Sequence, residues 1–88
     1  MIDKFKTFSP EIHSEAFVAQ SAQVLGQVEV EEGGNIWYNT VIRGDVEPIH
    51  IGKNTNVQDL CMIHTSHGFP VHIGCGVKIG RASCWERV

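Results

Sequence analysis

The side chains that could carry chemistry lie between positions 43 and 72: Arg43-Gly44-Asp45, then Gln58-Asp59, then His64, His67 and His72. An imidazole can carry a proton or ligate a metal, but a histidine standing alone beside a loop is commonly a solvated or hydrogen-bonded side chain. His67 and His72 flank the same loop as His64 and are expected to face solvent, with a substitute-ligand role as the alternative; His13 and His50 carry no signal. An arginine can hold a carboxylate through two parallel hydrogen bonds, and a glutamine amide can orient a polar partner without titrating. Cys61 and Cys75 have no basic neighbour in the pattern to favour a thiolate, so both are expected to be buried small hydrophobes. Gly33-Gly34 reads as a turn, because a phosphate-cradling loop needs more glycines and a following helix.

These residues must be positioned by something, and the repeat says what. Ile12, Val18, Val24, Val30, Ile36 and Ile42 fall at intervals of six. On a helix of 3.6 residues per turn such positions would smear around the axis, so the helical reading fails. A parallel β-helix with triangular coils explains the interval: each flat side takes about six residues, and its branched aliphatic points inward onto its equivalent one coil away. Three hexads make a coil, so Ile12 is expected to stack with Val30, Val18 with Ile36 and Val24 with Ile42.

After Ile42 the register shifts by three through Arg43-Gly44-Asp45-Val46-Glu47-Pro48 and resumes at Ile51, Val57 and Ile63. It breaks again over His64 to His72, punctuated by Gly68 and Pro70, and restarts at Ile73 and Ile79. The expected organisation is an N-terminal extension over 1–10, the repeat over 11–80 and a non-repeat tail over 81–88. An antiparallel β-sandwich is the weaker alternative, since strict alternation along each strand is missing.

The segment from Val41 to Gly52, followed by Asn54-Thr55-Asn56-Val57-Gln58-Asp59 and His64, resembles the signature of the gamma-class carbonic anhydrase-like family. The likeness runs from about Phe17 to Gly80. It implies a left-handed β-helix, the known exception to right-handed parallel crossovers, and a homotrimer with a metal between subunits. In that family three histidines hold Zn²⁺, or another divalent metal, and leave a position open for water. His64 matches the first ligand and Gln58 the residue that hydrogen-bonds near the metal-bound water. Arg43 and Asp45 match residues in ion pairs at the subunit contact, with Asp59 beside them in the motif. The implied activity is reversible hydration of carbon dioxide.

The chain departs from that pattern where the family's other two ligands belong. Those histidines would fall at positions 81 and 86, which hold Arg81 and Glu86. From Gly80 onward the repeat is lost, with Trp85 where a branched aliphatic is needed, so a truncation or a shifted reading frame is the expected origin of the tail and the β-helix is expected to be incomplete there. Activity of this chain alone is expected to be impaired. The alternatives are an acyl-coenzyme A-dependent hexapeptide acyltransferase and a non-catalytic trimeric scaffold or assembly subunit.

Composition narrows the remaining classes. A formal charge of −3 leaves no basic stripe for phosphates, so a nucleic-acid partner is not expected and a small-molecule substrate is. No stretch approaches the roughly 20 apolar residues of a membrane span, and Met1 to Pro10 lacks the apolar core of a secretory signal. Three cysteines without metal-type spacing suit a reducing compartment. The cytoplasm is the expected location, with an organelle matrix as the alternative, and in neither does the Arg-Gly-Asp tripeptide serve cell adhesion.

Overall fold

In a computed structural model, residues 1–80 are described, and the backbone there does what spacing by sixes requires: it returns over itself every third hexad. Among the described residues ten strands carry the circuit: β1 (Ile2–Asp3), β2 (Glu11–Ile12), β3 (Phe17–Val18), β4 (Gln23–Val30), β5 (Asn35–Ile36), β6 (Val41–Ile51), β7 (Asn56–Val57), β8 (Met62–His64), β9 (Val71–Ile73) and β10 (Lys78–Ile79). They pair in parallel. The first side stacks β1, the start of β4, the start of β6 and β8. The second stacks β2, the ends of β4 and β6, and β9, and the third stacks β3, β5, β7 and β10. The result is a parallel β-helix of about four turns, as the hexad spacing predicts.

Three aliphatic ladders build the interior, with Ile2 at the start of the stack still half exposed. They run Ile2–Val24–Ile42–Ile63, Ile12–Val30–Ile51–Ile73 and Val18–Ile36–Val57–Ile79, all in Cα register. Val24, Ile36, Ile42, Ile51 and Val57 expose no surface. Each such side chain contributes roughly 1.5–3 kcal/mol of apolar burial, so the ladders are the main source of cohesion. At the corners, buried Thr40 and Thr55 donate their hydroxyls to the carbonyls of Gln58 and Gly74, each at 2.7 Å, so neither polar group is orphaned.

The stack starts earlier than the spacing predicts. Ile2 and Asp3 pair with Val24 and Leu25, so residues expected as an extension lay the first side of the first coil. A turn closed by Phe5 and Phe8 then carries the chain to β2. The expected break at His64 to His72 is also narrower: His64 ends β8 and His72 lies within β9, leaving Thr65 to Pro70 as the loop. The expected tail, 81–88, lies outside the described residues.

Candidate functional site

The first outward ladder collects half of the motif. Alternation along a strand turns Arg43 outward because Ile42 points in, and Arg43 then lies in register between Leu25 one coil before and His64 one coil after. Arg43 Nε meets Asp45 Oδ2 at 3.2 Å. This is a single contact rather than a two-toothed one, and among the described residues Asp45 Oδ1 is buried without a hydrogen-bond partner. A carboxylate oxygen left so is destabilising by about 1–3 kcal/mol until a donor reaches it.

One residue that sequence reasoning passed over secures the loop after His64. Where one residue separates Gly26 from Val28, four separate Gly44 from Ile49, and this bulge sets Glu47 opposite the loop of the next coil. The Glu47 amide donates to Thr65 Oγ1 at 3.0 Å, and its carboxylate accepts from the Gly68 amide at 2.9 Å. Thr65 is buried directly after His64, while Gly68 stands at φ +81° in the turn between Ser66 and Phe69. The loop is thus tied to the coil before it at its first residue and at its turn. The signal available in the sequence was the register shift itself, which placed a carboxylate in a bulge.

Gln58 and Asp59 sit elsewhere, at the corner between the third and first sides. With Trp37, Asn56 and Leu60 they line an open depression of about 600 Å³. The Gln58 backbone is fixed twice, its amide donating to the Ile79 carbonyl at 2.9 Å and its carbonyl accepting from Thr40. A Cβ on Gly80 would lie 3.1 Å from Gln58 Oε1, so the glycine leaves the amide its room. Trp37 packs on Phe17 with ring centroids 4.9 Å apart and donates its indole N–H to Asn35 Oδ1 at 2.9 Å, which fixes the depression's wall. Tyr38 beside it is exposed. Leu60 adopts φ +61°, a left-handed conformation that its equivalent one coil before, Asn39 at φ +57°, accepts more readily.

The remaining histidines diverge. His64 is exposed on the first side, His67 is exposed at the loop tip, and His72 lies on the second side, its ring stacked on His50 at 4.6 Å. Among the described residues no three His, Cys, Asp or Glu side chains are grouped to hold a metal. This donor set, a single imidazole on the first side, does not fit a zinc centre within one chain. His50, which the sequence left without a role, bridges Glu29 and Glu31 at 2.9 and 2.5 Å. Cys61 is buried as expected. Cys75 is not: it is exposed, because it falls on the turn after Ile73-Gly74 rather than on an inward position of the repeat.

Known proteins are similar to the chain in sequence and, among solved structures, in fold. It is 42% identical over 80 residues to a carbonic anhydrase of Geobacillus kaustophilus, a match covering 91% of this chain and 44% of that protein. It is 40% identical over 81 residues to the mitochondrial gamma carbonic anhydrase 1 of Arabidopsis thaliana, covering 85% of this chain and 30% of that one. A crystal structure of a candidate acetyltransferase from Bacillus cereus superposes with a TM-score of 0.88 at 44% identity, over 90% of this chain and 46% of that chain. The chain therefore spans less than half the length of these relatives. No protein-family model matches it.

Proposed function

Because the chain belongs to the gamma-class carbonic anhydrase-like family of hexapeptide-repeat proteins, we propose that it is the part of a carbonic anhydrase-like lyase that builds the subunit contact and the first ligand position. In this reading the intact protein is a homotrimer that hydrates carbon dioxide at a zinc ion held between subunits. His64 supplies one imidazole, Gln58 orients the reacting water through its non-titrating amide, and Arg43, Asp45 and Asp59 organise the contact. The observation that carries the reading is the Arg43–Asp45 pair in register beside His64, with Asp45 Oδ1 buried and unsatisfied among the described residues, an acceptor suited to a donor from a neighbouring subunit.

The chain as it stands has impaired activity, since Arg81 and Glu86 occupy the positions of the other two ligands. Zinc content and oligomeric state of the purified chain test this together. The expected result is substoichiometric zinc and no carbon dioxide hydration, with the paired substitution Arg81→His and Glu86→His raising zinc uptake. About one zinc per chain without substitution would overturn the impairment and assign replacement ligands among His67, His72 and Glu86.

A second reading, acyl transfer from acyl-coenzyme A, is favoured by the structural likeness to the Bacillus cereus protein. Acetylation of an amine or hydroxyl acceptor by the purified chain would select it, and absence of acetylation together with no rise in zinc uptake in the doubly substituted chain would select a scaffold role. The cytoplasm, or an organelle matrix, completes the proposal; the Arabidopsis relative is mitochondrial. Among the described residues no helix is long and apolar enough to cross a membrane.

A further inference from the structure

The second side carries an outward ladder that the reading above does not use. Glu11, Glu29, His50 and His72 stand in register on four successive coils, and Glu31 flanks the His50 ring from the coil before. His50 Nδ1 lies 2.9 Å from Glu29 Oε1 and Nε2 lies 2.5 Å from Glu31 Oε2. The His72 ring covers the His50 ring from the next coil, 3° from parallel.

A neutral imidazole carries one ring proton, so it can donate to one of these carboxylates and must turn a lone pair on the other. Only the imidazolium donates to both. We propose that His50 is a proton-operated clasp on this side of the β-helix, closed across β4 and β6 while the ring is charged and released from one carboxylate when the ring becomes neutral. The strand that receives the loop after His64 packs against the clasp, since His72 in β9 stacks on His50 and follows Pro70 by two residues.

The groups facing His50 set its balance. Glu11 comes from β2, Glu29 from β4, Glu31 from the residue that follows β4, and His72 from β9. His13, Glu32 and Lys53 line the adjoining cleft with Glu11, Glu29 and Glu31, so four carboxylates oppose one lysine there. Burial opposes the charge on His50 most, but the hydrogen bonds to Glu29 and Glu31 and their negative charges together outweigh it, and the ring's pKa is raised above 6.5. A pKa raised on folding means stabilisation that is complete below 6.5 and lost as pH rises through the folded-state value.

Nitrogen-detected NMR titration of the full chain, paired with thermal melting from about pH 5 to about pH 9, tests the clasp. The expected result is a His50 midpoint above 6.5 and a fall in Tm of roughly 2–5 °C across that titration. His50→Gln should melt without the step. Glu31→Gln, which keeps the histidine, should lower the His50 midpoint and move the step to lower pH with it. A His50 midpoint at or below 6.5, a step that persists in His50→Gln, or a midpoint unmoved in Glu31→Gln would each overturn the proposal.

Discussion

Glu47 accepts the Gly68 amide at 2.9 Å across 21 residues of sequence, and its own amide donates to Thr65. The loop that follows His64 is therefore held by a carboxylate on the preceding coil rather than by its own turn alone. Glu47→Ala should speed hydrogen exchange at Gly68 and Phe69 and lower stability by about 1 kcal/mol. Glu47→Gln, which retains an acceptor, should fall between. Exchange at Gly68 unchanged in Glu47→Ala would show that the turn holds itself.

The glycine of Arg-Gly-Asp is fixed by crowding. A Cβ on Gly44 would lie 2.4 Å from the Gln27 carbonyl oxygen and 2.8 Å from its carbon, both backbone atoms that cannot swing away. Gly44→Ala should be destabilising by roughly 1–3 kcal/mol in urea melts. Gly74 meets nothing within 4 Å among the described residues, so Gly74→Ala serves as the tolerated control. Equal losses in the two variants would refute the crowding argument.

Leu60 sits 55% exposed at a left-handed corner. Little burial is lost on replacing it, and Leu60→Asn should raise stability by about 0.5–1 kcal/mol, or Tm by roughly 2–5 °C. A lower Tm would mean that the leucine's contacts in the depression outweigh the backbone strain.

Ile51 exposes no surface and lies between Val30 and Ile73 in the ladder of the second side. Ile51→Val should be destabilising by about 0.5–1.5 kcal/mol and Ile51→Ala by about 2–5 kcal/mol. Against a total stability of roughly 5–15 kcal/mol the second loss is large enough to unfold much of the population. Circular dichroism melts of both variants check the ratio, and equal losses would show a core that collapses around the gap.

The sequence alone determined the architecture, because one aliphatic every six residues is a local rule that only a triangular coil satisfies, and parallel stacking then fixes Ile12 on Val30, Val18 on Ile36 and Val24 on Ile42. It also located the bulge after Ile42, since three extra residues displace the rule visibly. The start of the stack was illegible: Ile2 stands ten positions before Ile12 with a turn between them, so no interval of six announces it. Only the tertiary structure decided which side each motif residue faces. It set His64 beside Arg43, put Gln58 at another corner, sent His72 to the second side and exposed Cys75 on a turn. The partners of Glu47 and His50 were hidden for the same physical reason. Contacts between coils join residues 18 to 22 apart, at distances set by the length of each inserted loop, and a side chain's neighbour across that gap is known only once the coils have closed.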